Sequence, residues 1–208
     1  MKFVCLVSTG IDSPVATYLM ARYGDIVVVH ADNKPFVDKE ETEVFQAVAE
    51  RLRNCIRKRF TVYIIQHGKT LSAIKDSCKE NYTCILCKRM ILKYASLIAK
   101  REKALAVVTG DSLGQVASQT LQNMRVEQHG IELPVIRPLV GFDKEEIIAI
   151  AKKIGTYDVS IKQRVQCSAV PRYPSTKANL NKVLFEEKKL PVDALVKAAI
   201  KEVEVFTT

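Results

Sequence analysis

Phe3-Val4-Cys5-Leu6-Val7-Ser8-Thr9-Gly10-Ile11-Asp12-Ser13-Pro14-Val15-Ala16 is the stretch that decides the fold. An apolar strand-like run, Phe3 to Val7, stops at two hydroxyls, a glycine and an acid, and a helix-compatible run follows. Backbone N–H groups at a helix start lack intrahelical partners, so with the hydroxyls of Ser8, Thr9 and Ser13 they can cradle an anion. Gly10 lets the backbone approach that anion. The chain has no GxxxxGK[ST], which excludes the phosphate loop of kinases and GTPases, and Asp12 inside the loop points instead to a magnesium-bound pyrophosphate. The competing reading is a capped helix whose Ser and Asp merely satisfy its first turn.

Outward from this loop the pattern alternates strand and helix. Short apolar runs recur at Ile26 to Val29, Val62 to Ile65, Leu105 to Val108, and Val135 with Ile136. Continuous runs bounded by Gly, Asp and Ser are the mark of parallel strands covered on both faces. Helical periods lie between them, at Val44, Val48, Leu52 and Cys55, and at Cys84, Cys87, Ile91, Ala95 and Ile98. Asp143 is placed to cap a helix that Gly155 stops. These features predict an α/β, doubly wound, mainly parallel five-stranded sheet. Thr156 to Pro174 is polar and aperiodic, and reads as a long functional loop. Ser175 or Thr176 is expected to cap a helix reaching Leu190, and a last amphipathic helix runs from Pro191 to Val203. The expected organisation is one domain over residues 1–175 with a helical tail, 176–208, packed on it.

The 208 residues are 48% hydrophobic and 26% charged, enough for one full core. No run approaches the roughly 18 apolar residues of a membrane span, and the opening reads neither as a signal peptide nor as an anchor. Six cysteines, two of them as CxxC, argue for metal or redox use in a reducing compartment, so a cytoplasmic location is expected. A net charge of +9 favours an anionic partner, nucleic acid first. The densest basic stretch is Arg51, Arg53, Arg57, Lys58 and Arg59, with a second scatter at Lys88, Arg89, Lys93, Lys100 and Arg101. Solvated helix faces give the same pattern, and only a real phosphate contact shows salt dependence.

Ser8-Thr9-Gly10-Ile11-Asp12-Ser13 resembles the SGGxDS motif of the PP-loop ATP pyrophosphatases, with Thr9 where that family carries glycine. The segments 108–123, containing Gly110, Asp111 and Gln119, and 137–148, containing Lys144, are similar to signatures of the tRNA 4-thiouridine synthases. Ile154-Gly155-Thr156 and Cys167 extend the likeness over most of residues 1–175. The resemblance implies that Asp12 and Lys144 serve nucleotide activation and that Cys167 handles sulfur. It implies ATP contacts from Ser8, Thr9, Gly10, Asp12, Ser13, Gly110 and Gln119. Ala31, Asp32 and Asn33, past the second strand, would face the adenosine. The implied reaction is adenylation of a tRNA uridine at its C4 oxygen by ATP with Mg2+, then replacement of that oxygen by sulfur; thiamine biosynthesis belongs to the same resemblance. A uridine oxygen is a poor leaving group until esterified to AMP, which is why ATP is needed.

Cys84 and Cys87 sit three apart at a helix start, where both thiols can share one face. With Cys167 they supply three soft ligands, one fewer than zinc prefers and enough for an iron–sulfur cluster, 4Fe-4S or 3Fe-4S, with an open iron. A redox pair and plain structural cysteines are the alternatives, while Cys5 and Cys55 fall in apolar periods and read as core. Candidate RNA contacts are Arg51, Arg57, Arg59, Lys88 and Arg89. Members of the resembled family carry an RNA-binding region ahead of this domain, and here the first strand begins at Phe3. A homodimer surface or a separate RNA-binding chain is therefore expected to serve tRNA. Two other functions fit parts of the pattern: a PP-loop ligase thiolating another base position, such as 2-thiouridine, or a small molecule; and a metal-stabilised RNA-binding module, which leaves both loop signatures unexplained.

Overall fold

The computed structural model describes residues 1–116, 118–162 and 167–208. Ala117, within the first signature, and residues 163–166 of the expected loop lie outside the described residues. The chain runs β1 (Lys2–Leu6), α1 (Asp12–Met20), β2 (Asp25–Asp32), α2 (Glu41–Ile56), β3 (Thr61–Gln66) and α3 (Gly68–Ser77). Then come α4 (Thr83–Glu102), β4 (Ala106–Val108), α5 (Leu121–Glu127), β5 (Val135–Ile136) and α6 (Lys144–Lys153). It closes with α7 (Tyr157–Lys162), α8 (Leu180–Glu187), α9 (Val192–Lys201) and β6 (Glu204–Thr207).

The sheet has six strands in the order β5-β4-β1-β2-β3-β6, one more than the sequence predicts. All neighbours pair parallel except β6, which lies antiparallel on β3 with Val62 opposite Phe206. β6 escapes the sequence reading because a four-residue strand on a sheet edge, exposed throughout, leaves no buried apolar run. From β1 the order proceeds to β2 and β3 on one side and to β4 and β5 on the other. That reversal opens a crevice at the carboxyl ends of β1 and β4, where doubly wound sheets gather ligands.

Strand residues alternate between two cores because successive side chains point to opposite faces. Val4, Val27, Val29, Tyr63 and Ile65 pack with α4, α8 and α9 through Leu86, Met90, Tyr94, Val183, Leu190 and Ala199. Phe3, Cys5, Val28, Val62 and Ile64 pack with α1, α2 and α6 through Val15, Phe45, Val48, Leu52 and Ile147. Burial pushes the Cys5 thiol up to about 12, as fits an inert core residue. Asp143 caps α6 in a full capping box with Glu146. Three expectations are corrected. Residues 157–162 of the supposed loop form α7, Asn179 rather than Ser175 or Thr176 caps α8, and α9 stops at Lys201. Among the described residues no helix is long and apolar enough to cross a membrane.

Candidate nucleotide and sulfur site

The turn from β1 into α1 is held by its own hydroxyls. Ser8 N–H donates to Ser13 Oγ at 2.8 Å, the two Oγ atoms are 3.1 Å apart, and Gly10 N–H reaches Ser8 Oγ at 3.3 Å. No side chain caps α1, whose N-cap residue is Ile11, so the capped-helix alternative loses its support and the first-turn N–H groups remain free for an anion. Ser8, Gly10, Ile11, Asp12 and Ser13 border a cavity of about 310 Å³, at the small end of the range for small-molecule sites. Thr9 does not border it. Thr9 is 8% exposed.

Gly110, just past β4, is where a side chain cannot go. A Cβ there would stand 2.5 Å from Ser13 Cα and 2.6 Å from Ser13 N, so the two loops touch backbone to backbone. Gly110→Ala is therefore expected to displace the phosphate loop and lower AMP formation on the order of 10²-fold. Steady-state assay beside circular dichroism checks it, and native turnover in a folded variant would show the contact to be dispensable.

Across the cavity mouth Lys144 Nζ, from the first turn of α6, pairs with Asp12 Oδ1 at 2.6 Å. Both are partly exposed, so the pair does little for stability. What it does is bring 132 residues of sequence separation to one point beside the phosphate loop. The far wall comes from the carboxyl end of β2. His30, stacked on Phe45 at 3.8 Å, donates from Nδ1 to Val7 O (2.9 Å), and its Nε2 lies 3.6 Å from Glu41 Oε1. Ala31 and Asn33 border the cavity beside it, whereas Asp32 is turned to Lys34.

Sequence reasoning missed the polar floor. Lys88 Nζ sits 2.9 Å from Asp111 Oδ1 and 3.6 Å from Glu127 Oε1, and Arg137 Nε is 3.3 Å from Asp111 Oδ2. Burial works against charge on Lys88, and the two carboxylates outweigh it, leaving the ammonium harder to deprotonate than usual. Burial pushes Glu127 up to about 7. Asp111 and Arg137 both lie in the quoted signatures, which was the available signal. Three buried acceptor oxygens around the cavity have no hydrogen-bond or ion-pair partner among the described residues: Asn33 Oδ1, Glu41 Oε2 and Gln119 Oε1. Unpaired buried acceptors are costly unless a ligand's donors meet them, and the amino and hydroxyl groups of a nucleoside are such donors.

Cys84 lies one helical turn before Lys88 and Cys87 directly before it, and the two cysteines, three apart, share a face of α4. All six cysteines are free thiols. Burial raises the thiols of Cys84, Cys87 and Cys167, and negative charge on Cys167 would push both of the others up further, which places the three within electrostatic reach of one another. Cys167 also feels Glu41 of the cavity wall. Among the described residues no group of three or more His, Cys, Asp and Glu side chains stands close enough to hold one metal ion. The three thiols are thus gathered, but not at ligand spacing.

The profile of the family described as Thiamine biosynthesis protein (ThiI) matches residues 1–192. A "Probable tRNA sulfurtransferase" of Methanosarcina mazei is 42% identical over 99% of this chain and 51% of that protein. One of Thermus thermophilus is 43% identical over the same shares. The chain belongs to the ThiI family. It spans about half the length of the curated relatives it matches. A solved 4-thiouridine synthetase, in complex with RNA and with bound ATP, superposes with a TM-score of 0.93 at 33% identity, over 99% of this chain and 55% of that one.

The basic residues of this ThiI-family chain divide. Arg51, Arg57 and Arg59 are exposed around the end of α2, where Arg57 takes the left-handed C-cap position at φ 58°. Lys88 belongs to the cavity floor. Arg89 corrects the expectation of an RNA contact: it is 2% exposed, pairs with Glu187 of α8, and donates to the carbonyls of Val126 and His129. Arg89→Ala is expected to cost about 3–5 kcal/mol of stability by leaving Glu187 and those carbonyls unpaired, read from urea unfolding. Arg51→Ala, Arg57→Ala and Arg59→Ala should leave stability alone. Each true phosphate contact removed would lower the salt slope of RNA binding by about one, and an unchanged slope would return that residue to the solvated face.

Proposed function

We propose that this chain is the ATP-dependent, adenylating half of a tRNA sulfurtransferase, which activates a tRNA uridine at its C4 oxygen and leads to 4-thiouridine. The observation that carries this reading is the Asp12–Lys144 pair at an uncapped phosphate loop, beside a cavity whose lining Lys88 directly follows Cys87 in the chain. ATP fits the site: hydroxyls and free N–H groups for phosphates on one side, unpaired buried acceptors for a nucleoside on the other. Asp12 is the acid within the phosphate loop itself, and its partly exposed carboxylate can exchange the Lys144 contact for Mg2+. Lys144 then neutralises charge that builds on the phosphates as the uridine oxygen attacks and pyrophosphate leaves.

In the second stage a sulfur nucleophile displaces AMP from C4. Cys84, Cys87 and Cys167 form a soft, three-thiol donor set that fits an iron–sulfur cluster in kind and number, once drawn together. When bound, such a cluster would present sulfide as the nucleophile. Burial holds the free thiols protonated at neutral pH, so loading must release protons. Support for tRNA as the partner comes from the RNA-bound relative. The test is release of AMP and pyrophosphate from ATP and Mg2+ with a tRNA transcript against none. RNA-independent turnover would favour the small-molecule ligase instead.

A further inference from the structure

His67 is the buried group that neither stage above uses. It follows the last residue of β3, its ring is fully buried, and it is placed by three backbone constraints. Its N–H donates to Asp32 O at 2.8 Å, and its carbonyl accepts the N–H of Leu71 at 3.0 Å. The next residue, Gly68, lies so close to the Lys34 carbonyl that a Cβ would fall 1.6 Å from that oxygen. The ring meets Tyr94 edge-on at 5.7 Å and brings Nε2 to 3.3 Å from Cys87 Sγ. Cys87 and Tyr94 are seven residues apart on α4, hence on one face, and His67 is wedged against both.

The other ring nitrogen decides the tautomer. Nδ1 is buried and has no partner among the described residues. If Cys87 donated its S–H to Nε2, the proton would have to sit on Nδ1 as an unpaired buried N–H, the rarest and most costly kind of orphan. With the proton on Nε2 the ring donates to sulfur and leaves only a lone pair unmet. We propose that His67 is a positioning residue whose Nε2–H donates to Cys87 Sγ and so orients that sulfur. For the cluster this deepens the reading above and rests on it: a hydrogen bond to a ligand sulfur stabilises the more negative, reduced state.

Two measurements test it. Nitrogen-15 spectra of the imidazoles in the metal-free protein should show His67 neutral with the proton on Nε2, and a proton on Nδ1 overturns the proposal. After anaerobic loading with iron and sulfide, His67→Phe should have a lower midpoint potential than the unaltered protein, while His67→Gln, which keeps an N–H donor, recovers part of the shift. Equal potentials in loaded, folded His67→Phe and unaltered protein overturn it as well. If the unaltered protein takes up no cluster, the cluster reading of the three cysteines fails, and the imidazole spectrum still decides the role of His67.

Discussion

Asp12→Ala and Lys144→Met are each expected to reduce AMP formation at least a hundredfold, about 3 kcal/mol of activation, without loss of fold. The two side chains meet at 2.6 Å at the cavity rim, and both retain solvent exposure. Removing either therefore leaves no buried charge behind, and a surface pair of this kind adds little to stability. In the proposed reaction one group would bind a magnesium–phosphate and the other balance charge on it, each needing its counterpart. The double variant should accordingly lose little more than either single one, since residues acting as a unit are not additive. Thermal melts and single-turnover AMP formation check the expectation, and near-native turnover in either variant would remove that residue from the mechanism.

The second large effect separates the two halves of the reaction. Cys84→Ala and Cys167→Ala should abolish sulfide-dependent thiolation while ATP is still converted to AMP with tRNA, because neither thiol borders the nucleotide cavity. Cys5→Ala, in contrast, should change only stability, since that thiol is sealed in the core beneath the sheet. Thiolation measured beside AMP release distinguishes these outcomes. If, with a persulfide donor in place of sulfide, Cys84→Ala keeps full thiolation while Cys167→Ala loses it, then the Cys167 thiolate takes the donor's outer sulfur, the donor leaves as its thiolate, and the Cys167 persulfide replaces the cluster as sulfur carrier.

Most of the fold was legible in the apolar runs, since β1 through β4 are buried on both faces and the half-buried β5 keeps two β-branched residues. β6 was not, because an exposed antiparallel edge strand of four residues has no core to announce it. The loop Ser8–Ser13 was legible as a strand–turn–helix element because these are local features. The burial of Thr9 was not, because a residue inside a turn can face solvent or the protein and sequence does not say which. Arg89 misled for a related reason: charge density marks basic residues alike, whether solvated or locked to Glu187 in the interior. His67 and the Lys88–Asp111–Glu127 floor arise from contacts between distant elements. Position alone hinted at His67, which stands at the carboxyl end of β3 where such sheets place ligands.

The proposed reaction spends ATP to exchange oxygen for sulfur on a tRNA uridine. Mass spectrometry of nucleosides from unmodified tRNA incubated anaerobically with the iron-loaded protein, ATP, Mg2+ and sulfide tests it. The expected product is a uridine that has gained sulfur for oxygen at C4, formed only with ATP and absent with Asp12→Ala. A product thiolated at C2, or AMP release with every uridine unchanged, would contradict it.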